Sequence, residues 1–337
     1  MLRLFVLALL ALAPIKGEQR RAEMLIEHIL QPQNNFSLEP LTEGLSQHAE
    51  LFLVQTDNTR YVLRILSKPE HEISHEITCL QIASKAGYGP RLFAADASQG
   101  YILMEYLPPE PITIQDRHSS QFYQALADAL SKMHQGPAFP KARPIFEDIQ
   151  NDLSRLQKKD QYTDLAKRMI SMISNIYTSL SKDAISAPCH NDLNPNNLIW
   201  SGTSFSIIDY EDCCQDDPYF DLATLSTFFC FSQEHETILL NRYYGRPMTD
   251  REKAHLYLSK QAFFIAYATR LFLICPDPQN WQAEPESYRD LFIQQGLGKI
   301  SIKEQSVRFR FARALLNEAE KNYRSQQFTQ AVQLLGN

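Results

Sequence analysis

The pattern of apolar and polar positions divides the chain into a strand-rich part and a helix-rich part. After a charged helical stretch over 18–30, short β-rich runs alternate with turn residues over 36–107. Within that segment, 71–86 has apolar positions at helical spacing, and Gly87 follows it as a suitable residue just past a helix end. The pattern predicts a small sheet accompanied by one helix.

Two strand pairs are predicted inside the strand-rich part, each closed by turn-forming residues. The first pair flanks a hairpin turn at 56–59, and the second flanks a turn around Gly100. The predicted strands cover 51–55, 61–66, 91–95 and 101–106.

A proline-rich run separates the two parts. Residues 108–111 read Pro-Pro-Glu-Pro, which can continue neither a strand nor a helix, so they predict a hinge. Beyond the hinge the apolar spacing is helical, and only 197–200 and 205–208 look strand-like. The predicted helical segments include 122–134, 153–180, 253–273 and 307–323.

Composition and charge place the chain among ordinary globular proteins. The 337 residues are 44% hydrophobic, enough to bury a sizeable core in two lobes. The net charge is −6 and no five like charges run together, which excludes a nucleic-acid or polybasic membrane footprint. The six cysteines form no C-x-x-C pair, so reduced thiols are expected.

The strongest chemical signal lies at 190–209. His190, Asp192 and Asn197 have the spacing H-x-D-x-x-x-x-N, and a strand-like run then ends in Asp209. Phosphoryl transfer needs an oxygen that accepts the proton of the attacking hydroxyl, and hard oxygen ligands that hold Mg²⁺ against phosphates. Asp192, Asn197 and Asp209 can supply these functions. Taken singly, each could equally be a turn former or a strand-end cap.

Three motifs around this signal carry a family resemblance. The runs H-N-D-L-N-P-N-N-L, I-I-D-Y-E and D-P-Y-F-D-L-A resemble the choline/ethanolamine kinase group of the aminoglycoside-phosphotransferase-like superfamily. The resemblance extends from about residue 41 to the helices after residue 220. It implies an α+β, protein-kinase-like bilobal fold, with a small antiparallel N-lobe over 18–107 and a larger, mostly helical C-lobe over 108–337.

The resemblance also implies roles for the residues of the catalytic segment. Asp192 is the expected catalytic base, and Asn197 and Asp209 are the expected Mg²⁺ ligands. Asp221 resembles the acid that braces the catalytic loop in the family, and His190 is expected to hold the loop by hydrogen bonds. A metal-ligand role for His190 is the less favoured alternative.

Nucleotide-binding residues are expected in the N-lobe. Arg64 resembles the basic strand residue that contacts the ATP phosphates, and its guanidinium can bind phosphate with two hydrogen bonds. Glu76 matches the carboxylate that pairs with that base, with Glu72 as the competitor one helical turn earlier. The alternative is that these charged residues have no role in nucleotide binding and simply lie on the surface of the strand and the helix.

Two further segments resemble ATP-binding elements of the family. Gly44 lies in a turn that resembles the glycine-rich loop over the phosphates, although Glu43 stands where relatives often have a second glycine. Glu105 and Leu107 match the hinge whose backbone binds adenine in the family. If the family resemblance is set aside, these residues are only the end of the last strand before the prolines.

The acceptor is expected to be a small cationic alcohol. Four carboxylates lie within 211–217, directly after the predicted metal-binding strand, and Glu211 and Asp212 are the expected acceptor ligands. Asp212 also replaces the aromatic residue that choline kinases often have there, so ethanolamine, thiamine and aminoglycosides stay open beside choline. Aromatic residues that could form a cage for the cation are Tyr219, Phe228, Tyr267 and Trp281, with ordinary core packing as the alternative for each.

Two other classes of protein could use residues of this segment. A metal-dependent phosphoesterase could use His190, Asp192 and Asp209, but further His or Asp ligand clusters are absent from the sequence. A nucleotide-binding pseudokinase would be expected to lack one of the three acidic or amide residues of the catalytic segment. The sequence therefore favours an active phosphotransferase.

The N-terminal segment provides evidence about where in the cell the protein is located. Arg3 precedes an apolar run over 4–13 that resembles a secretory signal peptide and is too short to span a bilayer. A helix packed on the body of the protein or a misplaced start codon would also explain it. Residues 1–17 are expected to be dispensable, because the segment that resembles the family begins later. Because a kinase needs ATP, the enzyme is expected in the cytoplasm, with export as the alternative.

Overall fold

The strand-rich part folds into one five-stranded antiparallel sheet. The computed structural model describes residues 16–30, 35–41, 49–183, 185–275 and 286–336. The strands pair in the order β1-β2-β3-β5-β4, and the β2–β3 pair is the hairpin that the sequence predicts. They are β1 (Phe36–Pro40), β2 (Ala49–Thr56), β3 (Arg60–Leu66), β4 (Leu92–Asp96) and β5 (Tyr101–Glu105).

Both faces of this sheet are covered by a helix. Helix α1 (Lys16–Leu30) buries Ala22 and Ile26 in the same cluster as Leu103, while the alternate residue Ile102 lies in the cluster that contains helix α2. Because side chains alternate between the faces of a strand, α1 and α2 (Glu70–Ala86) cover opposite faces. Gly87 ends α2 with a left-handed φ of 73°.

The proline-rich segment connects the sheet to the helical part. It leaves β5 in extended form, and the Glu110 N–H donates to the carbonyl of Trp200 at 2.8 Å. The linker is therefore attached to a hairpin of the helical part as well as to the sheet.

The remainder of the described chain is mainly helical, with two small strand pairs. Helix α9 is central, because α5, α6, α7, α11 and α12 all pack against it. The helices are α3 (Ile114–His118), α4 (Ser120–His134), α5 (Ile145–Gln157), α6 (Thr163–Leu180), α7 (Pro218–Phe229), α8 (Gln233–Tyr244), α9 (Asp250–Ile274), α10 (Tyr288–Gly296), α11 (Gln305–Tyr323) and α12 (Gln326–Gly336). The pairs are β6 (Ala187–Cys189) with β9 (Cys214–Asp216) and β7 (Leu198–Trp200) with β8 (Phe205–Ile207).

One predicted helix is interrupted. The helical pattern over 153–180 belongs to two helices, because α5 ends at Gln157 and α6 begins at Thr163. The Thr163 hydroxyl donates to the Gln157 carbonyl at 3.1 Å and so closes the turn between them. Both helices pack on α9 and on each other.

Some predictions fall outside the described residues. These are the N-terminal apolar run at 4–13, the turn that contains Gly44, and the aromatic residue Trp281. Among the described residues, no helix combines the length and the apolar character needed to cross a membrane.

Candidate active site

The catalytic loop between β6 and β7 is fixed by one buried carboxylate. The backbone N–H groups of His190 and Asn191 donate to the two oxygens of Asp221 at 2.7 and 2.8 Å. His134 approaches the same carboxylate with its Nε2 at 3.1 Å. Asp221 lies on α7 and is fully buried, so it joins that helix to the loop. These are the contacts expected of a side chain that braces the loop.

His190 connects the loop to the strand that precedes Asp209. Its Nε2 lies 2.9 Å from the Ile208 carbonyl, and its Nδ1 lies 3.3 Å from the Asp192 backbone nitrogen. Nε2 is therefore the protonated nitrogen, and Nδ1 accepts from the Asp192 N–H. Both ring nitrogens are occupied by these contacts, which argues against the alternative of a metal ligand.

Asp192 has one carboxylate oxygen held and one oxygen open. Oδ2 accepts hydrogen bonds from the side-chain amides of Asn194 at 2.9 Å and Asn197 at 3.1 Å. Within the described residues, Oδ1 accepts no hydrogen bond, and its polar neighbour is Arg270 Nη1 at 3.5 Å. Burial raises the pKa of Asp192 to about 6, although the charge of Arg270 opposes the rise. Oδ1 is thus the oxygen available to an incoming hydroxyl.

Asn197 and Asp209 bring two further oxygen ligands beside this carboxylate. The Asn197 amide nitrogen donates to Asp192, which leaves the amide oxygen free for another partner. The Ile208 N–H donates to the Asn197 carbonyl at 3.0 Å, so Asp209 follows directly beside it. Amide and carboxylate oxygens are hard ligands that suit Mg²⁺, and the donor set fits this ion.

Asp209 is itself held by the N-lobe. Its Oδ1 accepts from Arg64 Nη2 at 2.9 Å, and its backbone has a left-handed φ of 67°. Burial alone would raise the pKa of Asp209, but the charges of Arg64 and Lys68 outweigh burial and hold that pKa below its ordinary value. Asp209 therefore stays ionised at neutral pH.

Arg64 and Glu76 form a buried ion pair between β3 and α2. Arg64 Nη1 lies 2.5 Å from Glu76 Oε1, and both side chains are almost completely buried. The structure places Glu76 against Arg64, whereas Glu72 is exposed beside His71. Of the two candidates for this pairing, Glu76 is the one in position.

Lys68 is a second cation at this site that the sequence reasoning missed. Its Nζ lies 2.6 Å from Glu76 Oε2 and 2.9 Å from Glu211 Oε2. Burial alone would lower the pKa of Lys68, but these two carboxylates raise it, so the amine stays charged. The available signal was a lysine four residues after Arg64, at the junction of β3 and α2.

The hinge residues keep one backbone donor open. The Glu105 N–H already donates to the Arg91 carbonyl at 2.8 Å, and its side chain accepts from the Arg91 N–H. In the described part of the chain, the Leu107 N–H donates to no carbonyl. Leu107 therefore has a free backbone donor at the predicted hinge.

A small aromatic cavity lies beside Asp192. Its walls are one face of α7 and one face of α9, since the residues repeat at spacings of three and four. Phe228 and Tyr267, two of the predicted cage residues, are among them. The cavity is lined by Asp192, by Phe220, Thr224 and Phe228 of α7, and by Phe263, Tyr267 and Arg270 of α9.

Tyr219 is not brought to this cavity. Its ring stacks on His255 with 4.0 Å between the ring centroids, in the core on another side of α7. Phe220, the next residue, takes the place beside Asp192 that Tyr219 was expected to fill. The sequence reasoning also missed Phe263 and Arg270, which the helical spacing from Tyr267 could have indicated.

The acidic stretch 211–217 serves more than one purpose. Glu211 pairs with Lys68, Asp216 accepts from the Ile145 N–H at 2.7 Å, and Asp217 accepts from the Tyr219 N–H at 3.0 Å. The last two carboxylates therefore satisfy the free N–H groups at the starts of α5 and α7. Asp216 and Asp217 thus hold helix starts, and of the two predicted acceptor ligands Glu211 pairs with Lys68.

Asp212 is exposed, and in the described residues its carboxylate accepts no hydrogen bond. Desolvation by the neighbouring protein nevertheless raises its pKa to about 7, with opposition from the charge of Arg270 and added repulsion from Asp192 and Glu211. Its charge therefore changes near neutral pH.

A second group of possible metal ligands lies behind the loop. His134, Cys189 and Asp221 bring ligand atoms within 4.8 Å of one another in the described residues. Asp221 is used by the loop, and the two nitrogens of His134 contact Asp221 and Tyr243. Because these partners already occupy the ligand atoms, the group is part of the loop support.

Comparison of the sequence with protein families gives one extended match. The profile of the phosphotransferase enzyme family matches residues 37–257. Protein LicA of Haemophilus influenzae is 27% identical over 202 residues, which cover 57% of this chain and 58% of LicA. The chain thus matches less than two thirds of that relative's length.

Solved structures show the same architecture. A choline/ethanolamine kinase family protein from Mesorhizobium loti has a TM-score of 0.68 and 17% identity, with coverage of 95% of this chain and 99% of that protein. Choline kinase LicA from Streptococcus pneumoniae has a TM-score of 0.61 and 18% identity, with coverage of 90% and 100%. The predicted bilobal kinase-like fold is confirmed.

Proposed function

The chain belongs to the phosphotransferase enzyme family, and on this basis we propose that it transfers the γ-phosphoryl group of ATP to a hydroxyl of a small cationic alcohol. The observation that carries the proposal is the open Oδ1 of Asp192, placed between the charged residues of the sheet lobe and the aromatic cavity. This oxygen has access to both substrates. The alcohol kinase predicted from sequence is supported at the level of the family.

Asp192 acts on the acceptor hydroxyl in this proposal. Oδ1 accepts the proton as the acceptor oxygen forms its bond to the γ-phosphorus, and the bond from that phosphorus to the bridging oxygen breaks to release ADP. The two amide hydrogen bonds on Oδ2 hold the carboxylate in place while Oδ1 accepts the proton.

The metal and phosphates are assigned to the other side of the cleft. Asn197 Oδ1 and a carboxylate oxygen of Asp209 would hold Mg²⁺, which when bound neutralises charge on the phosphates. Arg64 lies within contact of Asp209 and is positioned to bind a phosphate oxygen, and Lys68 adds a second cation nearby. The Leu107 N–H would bind the adenine edge.

The acceptor is assigned to the side of Asp192 that carries the aromatic cavity, whose volume of about 10 Å³ has to widen to admit it. The rings of Phe228 and Tyr267 line this cavity, and Asp212, which is within electrostatic range of Asp192, would supply a counter-charge. Choline and ethanolamine are the first acceptors to test, by likeness to the named kinases, followed by thiamine and aminoglycosides. A cytoplasmic location remains a prediction from the need for ATP.

The experiment is an acceptor panel with ADP release as the readout. Choline, ethanolamine, thiamine, kanamycin and a neutral sugar are each supplied with ATP and Mg²⁺. We expect ADP release that depends on a cationic alcohol. Phosphate release without any acceptor would indicate a phosphoesterase, and nucleotide binding without turnover would indicate a pseudokinase.

Asp212 gives this acceptor site a pH dependence. Below pH about 7 its carboxyl is protonated and neutral, and above that pH it is an anion that attracts a cation. The KM of choline, or its inhibition constant if choline is not turned over, is therefore expected to fall as the pH rises through about 7. Choline is the suitable probe because its own charge does not titrate.

The matched variant is Asp212→Asn, which keeps the shape and removes the titration. The variant is expected to show a flat dependence between about pH 7 and 8.5, above the pH of about 6 at which Asp192 titrates. A profile that retains the same inflection in Asp212→Asn would assign the titration to another group.

A further inference from the structure

A second, larger cavity lies apart from the candidate active site, between α4 and the β7–β8 hairpin. Its volume is about 570 Å³, which is in the range of ligand-binding sites, and none of the residues assigned to catalysis, metal, nucleotide or acceptor lines it. The hairpin wall is formed by residues 202–206, and Gly87 and Tyr88 close one end. The α4 wall is formed by Gln121, Gln124, Ala125, Asp128 and Lys132.

The edge of β8 that faces away from β7 can be identified from its hydrogen bonds. In an antiparallel pair, residues that bond to the neighbouring strand alternate with residues whose N–H and C=O point away from it. The Ile208 N–H donates to the Asn197 carbonyl, so Ile208 is a bonded position. Ile207 and Phe205 are therefore the outward positions of β8. The Ile207 N–H indeed donates away from β7, to the Tyr88 carbonyl at 2.9 Å.

The backbone of Phe205 is left without a partner at the wall of this cavity. Phe205 is 6% exposed, and among the described residues nothing bonds to its outward N–H and C=O. The opposite edge of the hairpin is satisfied, because the outward carbonyl of Trp200 accepts from the Glu110 N–H of the linker. Since buried backbone groups are nearly always hydrogen-bonded, the donor and acceptor of Phe205 are available to an occupant of the cavity.

The wall opposite Phe205 offers neutral hydrogen-bonding groups. The side chains of Gln121 and Gln124 are exposed and line the cavity, and within the described ranges neither makes a hydrogen bond. A carboxamide has both donors and an acceptor, so it can bond to either group of a peptide unit. Asp128 on the same wall is already paired with Arg242 at 2.6 Å. The free groups of both walls therefore suit a polypeptide main chain.

The dimensions and the charges at the two ends suit an extended segment. From Gln121 to Lys132 the helix rises about 16 Å, at about 1.5 Å per residue, which matches about five residues of extended chain at about 3.3 Å each. Asp116 lies at one end, and its Oδ1 accepts no hydrogen bond in the described part of the chain. Lys132 lies at the other end, where its Nζ donates to the Gly87 carbonyl and has two further N–H donors.

We propose that this groove binds an extended segment of a partner protein, which adds one strand beside β8. The main chain of the segment bonds to the N–H and C=O of Phe205, and its side chains and free peptide groups contact α4. A basic side chain at Asp116 and an acidic side chain at Lys132 set its direction by charge complementarity. The proposal does not rest on the phosphotransferase activity, so its failure and the failure of that function are separate results.

The position of the groove connects it to the catalytic segment. Asn197 directly precedes β7, and Asp209 follows β8 by two residues. The segment therefore binds to the hairpin that carries both predicted metal ligands, on the side away from them.

The test begins with selection from a library of random seven-residue peptides, with the immobilised full-length chain as bait. We expect enriched peptides that have a basic residue towards one end and an acidic residue towards the other. Ala125→Arg places a long side chain in the groove, and Gln124→Arg does so from an exposed position; each should weaken binding by at least about 10-fold. Ser171→Arg adds the same group to an exposed position of α6 and should bind the peptides as the wild type does.

Two measurements on a selected peptide test for strand addition. The peptide is methylated on one backbone nitrogen at a time, and methylation at the residue that faces Phe205 should weaken binding by at least about 10-fold, because it removes a main-chain donor. Hydrogen exchange of the Phe205 amide should slow by at least about 10-fold when the peptide saturates the protein. All three variants should unfold within about 2 °C of the wild type.

Three outcomes would overturn the inference. The first is the absence of any peptide that prefers the wild type to both groove variants. The second is a selected peptide whose affinity survives every N-methylation and leaves the exchange of Phe205 unchanged, since such a peptide adds no strand. The third is dimerisation of the wild type in sedimentation experiments that Ala125→Arg and Gln124→Arg abolish, which would assign the groove to a second copy of this chain.

Discussion

Asp192→Asn is expected to lower kcat by about 10²-fold to 10⁴-fold, the contribution of a positioned general base. The amide keeps the shape of the side chain and can still accept a hydrogen bond from Asn194 or Asn197, but it cannot take the hydroxyl proton. The affinity for ATP with Mg²⁺ should change by less than about 3-fold, because the base acts on the acceptor more than on the nucleotide.

The measurement combines steady-state kinetics with calorimetric titration of ATP and Mg²⁺ in the absence of an acceptor. Asp164→Asn is a suitable control, since this carboxylate on α6 is 89% exposed and contacts only Lys167 in the described residues. If nucleotide affinity is lost together with activity while the fold survives, Asp192 has another role.

Asp209→Asn is expected to raise the Mg²⁺ concentration for half-maximal activity by at least about 10-fold, because a neutral amide replaces a carboxylate ligand of a hard cation. Asparagine tolerates the left-handed φ of 67° at this position, so the backbone can keep its conformation. Arg64 loses one partner but retains Glu76. The effect should therefore be on the metal requirement more than on folding.

Magnesium titrations at fixed ATP and saturating acceptor test this expectation. Asp212→Asn is the matched comparison, since it removes a carboxylate three residues further along the same cleft. That variant should alter the KM of the acceptor and leave the magnesium titration unchanged. An unchanged titration in Asp209→Asn would contradict the assignment of Asp209 as the metal ligand.

The sequence predicts the functional site best where its residues are close together along the chain. His190, Asp192, Asn197 and Asp209 lie within one loop and one hairpin, so their spacing alone brings them together. The β2–β3 hairpin and helix α2 were predicted for the same reason, since turn residues and helical periodicity are read over short distances.

The acceptor side could not be predicted because it is assembled from distant elements. Phe220 and Arg270 meet Asp192 only after α7 packs on α9, and no local pattern fixes which face of each helix is turned to the loop. Tyr219 was chosen in place of Phe220, an error of one residue that amounts to about 100° around a helix. The contacts of the acidic stretch could not be predicted either, because Asp216 and Asp217 are acceptors for helix starts.

Helix α1 has a practical consequence for producing the protein. It shields the sheet face that contains Phe52, Val54 and Leu63, all of which are fully buried. A recombinant chain that starts after residue 30 would expose this apolar surface on a sheet with unpaired edges, and such surfaces drive self-association. The choice of the first residue is therefore expected to affect how much of the protein aggregates, although α1 contains none of the residues assigned to catalysis.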